Sequence, residues 1–170
     1  MAMRTVVVDR FGPPETLVMK DSAVPSPGPG EVLIKVRFAG VNYFDVLQRS
    51  GSVPGTRTPF VPGLEASGTV VAAGPDVSGL PVGTAVAALT RSGYAEFALC
   101  DARLVLPLDG RVALDRAAAL PVAAVTAYQV LADLARLQPG ETVLVHGATG
   151  GVGTMAGQIA QVLEIGRAHV

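Results

Sequence analysis

The segment TVLVHGATGGVG, residues 142–153, decides the fold of this chain. It combines an apolar strand, a glycine-rich turn and the start of an amphipathic helix that continues through Met155, Ile159 and Val162. Glycines suit a strand that reverses into a helix within a few residues while its backbone approaches a diphosphate, because a Cβ would obstruct that approach. We therefore expect a βα unit whose strand, Thr142–His146, is buried on both faces of a parallel sheet. His146 is interpreted as a core residue.

The turn matches the Gly-x-Gly-x-x-Gly dinucleotide fingerprint with Ala148, Gly150 and Gly153 at the three key positions. Exposed N–H groups at the start of the helix are expected to bind the anion. The alternative is a tight βα turn without a ligand. The residue that selects NAD or NADP is expected about 20 residues further on, where the chain has ended. The candidate cofactor-binding residues in this turn are Gly147, Ala148, Thr149, Gly150, Gly151, Val152 and Gly153.

The chain before this segment has a different character. Twelve of the 13 prolines lie at or before Pro121, and short β runs alternate with Gly-Pro and Asp-Gly turns, which predicts a compact β-barrel or sandwich. From Asp115, a plausible N-cap, the pattern becomes helical; Pro121 divides a short turn from a longer helix that should end near Leu137. The predicted strands are Thr5–Asp9, Val32–Ala39, Ser67–Ala73, Ala85–Leu89, Ala95–Leu99 and Leu104–Pro107.

Composition limits the classes of function. Charged residues make up 16% of the chain, below the usual figure of about 25%, and the net charge is −1. There is no run of like charge, so we expect neither nucleic-acid nor membrane binding. Cys100 is the only cysteine, which excludes an intramolecular disulfide and a multi-cysteine zinc site. The chain has no secretion signal and no stretch of about 20 apolar residues, and we expect a cytoplasmic protein.

The order of these parts resembles the medium-chain dehydrogenase/reductase superfamily. Three stretches carry the resemblance: AGVNYFD with RSG at residues 39–45 and 49–51, PGLEASG at 62–68, and HGATGGVG at 146–153. They are most similar to its zinc-free quinone oxidoreductase (zeta-crystallin-like) branch, with polyketide-type enoyl reductases as close relatives. The resemblance implies an α+β chain. A GroES-like β-barrel catalytic domain would occupy residues 1–120, and the first βα unit of a Rossmann, doubly wound α/β domain would occupy 121–170.

Two positions argue against the zinc chemistry of related alcohol dehydrogenases. Those relatives have Cys at the position of Asn42 and His at the position of Leu64, and neither an amide nor a leucine replaces a thiolate or imidazole ligand. We therefore expect no metal site. Glu65, left without its partners, is interpreted as a hydrogen-bonded structural carboxylate.

The resemblance also suggests catalytic residues. Asn42 is the candidate polar group at the nicotinamide and substrate, with an Asx-type turn as the alternative. Asp45 is similar to a cleft-lining position, or is a helix cap. Thr126 matches a threonine that faces the nicotinamide in relatives, or is a helix hydroxyl bonded to its own backbone. Tyr43 is a candidate donor, although packing beside Phe44 is favoured. Leu47 replaces a tyrosine of some relatives, which weakens tyrosine-assisted proton donation.

The expected activity is hydride transfer from NADPH or NADH to a quinone or α,β-unsaturated carbonyl. The alternative is a nucleotide-binding or structural, crystallin-like protein without turnover. We expect an N-terminal fragment of a longer, homodimeric enzyme, inactive alone and weak in dinucleotide binding. Residues 165–170 are either native, with Gly166 as a helix C-cap before a second strand, or encoded by a sequencing adapter; we favour the adapter.

Overall fold

A computed structural model of the chain describes the backbone of residues 1–169 and the side chains of residues 1–166. Its contacts divide it into two compact units, one from Met1 to Ala119 and one from Leu120 onward. Among the helices of these described residues, none has the length and apolar character that crossing a bilayer requires.

The first unit consists mainly of antiparallel strands. Its two α-helices are α1 (Tyr43–Ser50) and α2 (Leu114–Ala117), and 3-10 turns lie at Pro14–Thr16 and Ala102–Leu104. The strands are β1 (Ala2–Val8), β2 (Leu17–Ala23), β3 (Glu31–Ala39), β4 (Glu65–Ala73), β5 (Ala85–Leu89), β6 (Phe97–Asp101) and β7 (Val105–Pro107).

Five of these strands form one antiparallel sheet in the order β6-β3-β4-β5-β7, and β1 and β2 form a separate hairpin. Register shifts interrupt the β3–β4 pairing at Leu33/Ile34 and at Val36/Phe38. Such β-bulges bend a strand and increase its twist. The prediction that this part of the chain is built mainly from β-strands is confirmed.

Small aliphatic side chains fill the core of this sheet. Cys100 lies in this core, and its burial raises the pKa of the thiol to about 11. The thiol therefore stays protonated at neutral pH, as expected for an inert structural cysteine. The buried cluster comprises Val32, Ile34, Val70, Leu80, Val86, Ala88, Ala98 and Cys100.

The strand β2 and the helix α1 of this unit were not predicted, and several predicted boundaries were wrong. For example, β1 spans Ala2–Val8 rather than Thr5–Asp9, and β6 spans Phe97–Asp101 rather than Ala95–Leu99. The strand β2 has a central Lys20-Asp21 pair that breaks any apolar alternation, and all but one of its residues are exposed. The helix α1 is only eight residues long and follows a strand closely. Ala113, not Asp115, caps α2, and the Asp115 carboxylate instead accepts a hydrogen bond from the N–H of Arg116.

The second unit contains the predicted strand–turn–helix. Pro121 begins α3 (Pro121–Tyr128), which continues as a π-helix over Gln129–Leu134, so the helical segment ends three residues before the predicted Leu137. Strand β8 (Thr142–Val145) precedes helix α4 (Gly151–Val162), and β9 (Gly166–His169) pairs with β8 in parallel. The buried cluster comprises Ala127, Leu131, Ala156, Ala160 and Ile165.

Three predictions for this unit were wrong. Strand β8 is not buried on both faces, because it pairs only with β9 within the described residues and Leu144 is 53% exposed. His146 is exposed rather than part of the core. Gly166 does not cap α4, as one of the two alternatives for the end of the chain had it. The helix ends at Val162, Leu163 is its C-cap residue, and Glu164 takes the positive φ of 58°. Val170 lies outside the described residues.

Candidate active site

The start of helix α1 brings Asn42 and Asp45 together. Asn42 is the N-cap residue, with an extended backbone at φ −111° and ψ 153°. Asp45, in the first turn, accepts a hydrogen bond from the backbone N–H of Asn42 through Oδ2 at 2.8 Å. This is one half of a capping box, which satisfies a helix N–H that would otherwise lack an acceptor. Asp45 therefore makes the helix-cap interaction that the sequence offered as an alternative to its role in the cleft.

The Asn42 side chain is bound to a buried carboxylate. Its Nδ2 donates to Oε1 of Glu65 at 2.8 Å, and Glu65 is only 2% exposed at the start of β4. Within the amide only the Nδ2 group can donate, so it is the N–H and not the amide oxygen that faces Glu65. This contact fixes the orientation of the amide. Glu65 is a hydrogen-bonded carboxylate, as interpreted from the sequence.

Tyr94 completes this group of polar side chains. Its hydroxyl donates to Asp45 Oδ2 at 3.0 Å, across 49 residues of sequence. Burial raises the pKa of Tyr94 well above its ordinary value of 10.0, and the nearby Asp45 and Glu65 carboxylates raise that pKa further because they repel a phenolate. Tyr94 is therefore a neutral donor. Asp45 is 5% exposed, and its buried Oδ1 has no hydrogen-bond partner among the described residues.

A close approach of two glycine-containing segments places Tyr94 in this group. The N–H of Gly93 donates to the Gly63 carbonyl at 3.0 Å, and the N–H of Tyr94 donates to the Pro62 carbonyl at 3.0 Å. Gly63 has φ +101°, and a Cβ there would lie 2.6 Å from Cδ1 of Tyr94. The position therefore needs glycine for both its conformation and its packing.

Tyr43 is the first residue of α1 and its side chain is 75% exposed. The favoured interpretation, a partly buried ring packed beside Phe44, was wrong. Tyr43 and the buried Asp45 are two positions apart on the same short helix and therefore lie on different faces of it. The Tyr43 hydroxyl is therefore available to solvent or to a ligand. Leu47, one turn further along α1, is partly buried.

In the second unit, the glycine turn leads directly into helix α4. Gly147 has φ +68°, and Gly150 is the N-cap residue, with no side-chain cap. Gly153 is buried, and a Cβ there would lie 2.4 Å from the Gly147 carbonyl oxygen and 2.7 Å from Cα of Ala148. Only glycine allows the turn to pack so tightly against its helix.

The same turn borders an open groove of about 400 Å³. The first N–H groups of a helix have no intrahelical acceptor, and the helix dipole favours negative charge at that end. The residues of the turn therefore fit a diphosphate, as in dinucleotide sites. The groove is lined by Ala148, Thr149, Gly153, Thr154, Gly157, Gln158 and Gln161. Thr126 lies within the same unit, exposed on α3.

Side chains that could bind a metal ion do not cluster in the part of the chain that the structure describes. No group of three or more His, Cys, Asp or Glu residues there could hold a metal ion. At the positions where zinc relatives have Cys and His, the side chains are the Asn42 amide, bound to Glu65, and Leu64.

Sequence reasoning missed Tyr94 and the contact between Asn42 and Glu65. A tyrosine behind a Ser-Gly pair carries no motif, and 49 residues separate it from Asp45. The signal that could have indicated these contacts was the pair of carboxylates, Asp45 and Glu65. Buried carboxylates require hydrogen-bond donors, and the Asn42 amide and the Tyr94 hydroxyl are two donors that meet them.

Comparisons with known proteins identify the family and the fold that this chain resembles. Residues 28–110 match the family described as alcohol dehydrogenase GroES-like domain. The quinone oxidoreductase of Lama guanicoe is 43% identical over 163 residues, which cover 94% of this chain and 49% of the relative. The chain thus spans about half the length of this relative.

Solved structures show the same fold over nearly the whole chain. The human synaptic vesicle membrane protein VAT-1 homolog-like protein superposes with a TM-score of 0.94 at 35% identity, covering 99% of this chain and 56% of that protein. A mycobacterial protein complexed with NADPH has a TM-score of 0.90 at 36% identity, covering 98% and 52%. The CurK enoyl reductase has a TM-score of 0.91 at 30% identity, covering 98% and 53%.

Proposed function

Because the chain belongs to the medium-chain dehydrogenase/reductase superfamily, we propose that the complete protein transfers hydride from NADPH, or NADH, to a quinone or an α,β-unsaturated carbonyl without zinc. Its similarity to a quinone oxidoreductase and to an enoyl reductase supports both classes of acceptor. The NADPH complex of a similar mycobacterial protein supports the cofactor.

The observation that carries the proposal is the hydrogen bond between the side chains of Asn42 and Glu65. The Asn42 amide is held by Glu65 at 2.8 Å, where zinc relatives place a thiolate ligand. An amide supplies a hydrogen bond rather than a Lewis acid, and that is sufficient for an acceptor whose own carbonyl receives the electron pair. We assign Asn42 the role of the neutral polar group that meets the acceptor or the nicotinamide amide.

The cofactor's part is to supply the hydride from its reduced nicotinamide. The residues from Gly147 to Gly153 would hold its diphosphate at the start of α4, through backbone N–H groups that no side chain caps. Thr126, exposed on α3, would face the nicotinamide.

Two further candidates have different roles. Asp45 is buried and fixes the backbone of Asn42, so it acts by holding the start of α1. Tyr43 is exposed, and its hydroxyl would donate a hydrogen bond or a proton to the reduced acceptor's oxygen. With Leu47 in place of a tyrosine, Tyr43 is the donor that remains on α1. We further propose a cytoplasmic homodimer that takes a small-molecule substrate.

A second candidate function is nucleotide binding without turnover, in a structural or crystallin-like protein. Leu47 favours it, because the side chain cannot donate a proton. The tightly packed glycine turn, which fits a diphosphate, is compatible with both candidates.

An acceptor screen at fixed NADPH concentration separates the two. We expect the complete protein to bind NADPH and to reduce quinones or enones, and to leave simple aldehydes unreduced, because their carbonyls need stronger polarisation. Binding without reduction of any acceptor would support the second candidate. The absence of nicotinamide binding by a folded protein would exclude both.

The 170-residue chain alone is expected to bind dinucleotide weakly. In its second unit, β8 and β9 form a sheet of two strands, whereas a doubly wound domain commonly has about six. Isothermal titration with NADPH tests this, and affinity equal to that of the complete protein would contradict it.

A further inference from the structure

Asn42 is held from two sides, and none of the three residues that hold it is assigned a contact with the reacting atoms of the proposed hydride transfer. Glu65 accepts from its side-chain Nδ2 at 2.8 Å. Asp45 Oδ2 accepts from its backbone N–H at 2.8 Å and, at the same oxygen, from the Tyr94 hydroxyl at 3.0 Å. Asp45 and Glu65 are both almost completely buried.

We propose that Glu65 and Tyr94 are positioning residues for Asn42. Glu65 sets the orientation of its amide, and Tyr94, acting through Asp45, sets the position of its backbone. This inference rests on the proposed function, in which Asn42 meets the acceptor or the nicotinamide.

The Glu65 contact gives the amide one orientation. If the amide flipped, its Oδ1 would face Oε1 of Glu65 at hydrogen-bond distance, and neither oxygen could donate. That repulsion occurs in a buried site, where unmet polar groups are costly. The remaining N–H and the Oδ1 of Asn42 are therefore always presented in the same arrangement. Preorganised donors of this kind need no reorientation during reaction.

The Tyr94 contact limits the movement of Asp45. The Asp45 carboxylate reaches the start of α1 from within the same helix, and the Tyr94 hydroxyl, from the Gly93-Tyr94 segment, anchors it to another part of the first unit. Without that hydroxyl, Oδ2 would keep the Asn42 N–H, while Oδ1 already lacks a partner among the described residues. The carboxylate would then turn toward other donors, and the Asn42 backbone would move with it.

The first test measures turnover of the complete protein. Tyr94→Phe removes one hydroxyl, and Glu65→Leu removes the acceptor while keeping a side chain of similar size. Both should lower kcat about 10- to 100-fold, the cost of a small misplacement of a reacting group. The Kd for NADPH should stay within about twofold, because its binding residues lie in the other unit. Glu65→Gln keeps an oxygen that can accept from Nδ2, and should retain most of the activity.

The matched control is Thr16→Val. Thr16 is 7% exposed and its hydroxyl donates to the Pro13 carbonyl at 2.8 Å, outside the group around Asn42. The control loses a comparable buried hydrogen bond and should keep kcat unchanged.

The second test does not depend on turnover. Asn42 is the only asparagine in these 170 residues, so asparagine-selective 15N labelling reports its side-chain amide, assigned by its loss in Asn42→Ser. We expect the two amide signals to shift in Glu65→Leu and in Tyr94→Phe, and to stay in place in Thr16→Val.

Shifted amide signals together with lowered kcat support the inference. It is overturned if Tyr94→Phe and Glu65→Leu keep wild-type kcat, or if kcat falls while the Asn42 signals stay in place. If Glu65→Leu does not fold, Tyr94→Phe carries both readouts. If the wild-type protein reduces no acceptor, the proposed function fails, and the labelled amide alone decides whether Glu65 and Tyr94 hold Asn42.

Discussion

At the scale of single residues, the first unit combines two buried carboxylates with neutral donors. Asp45 and Glu65 are 5% and 2% exposed, and the donors that meet them are Asn42 and Tyr94. Buried carboxylates without donors are costly. The hydrogen bonds to these two carboxylates fix the position of the neutral Asn42 amide, which is the group proposed to meet the acceptor.

The Tyr94 hydroxyl should resist ionisation. Its pKa is raised above 10.0 by burial and by Asp45, so the folded chain holds the proton to higher pH than the unfolded chain does. The resulting contribution to stability is complete below pH 10.0 and is lost as the pH rises through the folded-state pKa. We expect the tyrosinate absorbance of wild type minus Tyr94→Phe to show no transition at pH 10.0.

Circular dichroism supplies the control for this titration, because it marks the pH at which the chain unfolds and releases Tyr94. A difference titration centred at the ordinary tyrosine pKa, in a chain that is still folded, would contradict the buried contact with Asp45.

At the scale of elements, the approach of the Gly63 and Gly93 segments sets the position of Tyr94. Gly63→Ala should destabilise the chain in two ways. The left-handed backbone costs a non-glycine residue about 1–2 kcal/mol, and the contact of 2.6 Å with the Tyr94 ring adds about 1–3 kcal/mol of overpacking. Urea unfolding measures the sum.

Gly55→Ala separates these two effects. Gly55 also has a positive φ, of 80°, but a Cβ there meets nothing within 4 Å. It should therefore show the backbone cost alone. Equal losses for Gly55→Ala and Gly63→Ala would mean that Tyr94 does not pack against Gly63.

The glycine turn makes a similar prediction for the second unit. Gly153→Ala places a methyl group 2.4 Å from the Gly147 carbonyl oxygen, which should cost about 1–3 kcal/mol of unfolding free energy and weaken NADPH binding by the complete protein. At Gly151 the nearest contact of a Cβ is 3.9 Å. Gly151→Ala should be neutral or stabilising by up to about 1 kcal/mol. Equal destabilisation by both variants would contradict the tight packing at Gly153.

Local patterns predicted some elements and missed others for physical reasons. The strand, turn and helix that begin within residues 142–153 were predicted because the apolar run, the glycine cluster and the amphipathic pattern follow one another directly in the sequence. Strand β2 was missed because pairing with β1, not its own pattern, makes it a strand. Tyr94 was missed because only the fold joins it to Asp45. His146 was wrongly assigned to a core, because an apolar run predicts burial only where neighbouring strands cover it.

At the scale of the whole molecule, the two units carry different parts of the proposed chemistry. The first provides a neutral amide held by a carboxylate, and the second provides a turn that fits a diphosphate. Because the chain spans about half of the relatives it matches, both parts must be tested in the complete protein.

The absence of zinc from the proposed mechanism has a direct consequence. Asn42 and Leu64 offer no thiolate or imidazole at the positions that bind zinc in relatives. Prolonged dialysis of the complete protein against a chelator should therefore leave kcat unchanged, and added zinc should not raise it. A zinc-dependent relative provides the matched positive control, and loss of activity that zinc restores would contradict the proposal.

Counting reducing equivalents tests the proposed zinc-free hydride transfer most directly. Under anaerobic conditions and with a chelator present, the complete protein is given NADPH with a quinone or with an α,β-unsaturated ketone, and NADP⁺ and reduced acceptor are quantified together. We expect one quinol or one saturated ketone for each NADPH oxidised, at a rate that Asn42→Ala lowers. NADPH binding without reduction of either acceptor would contradict it.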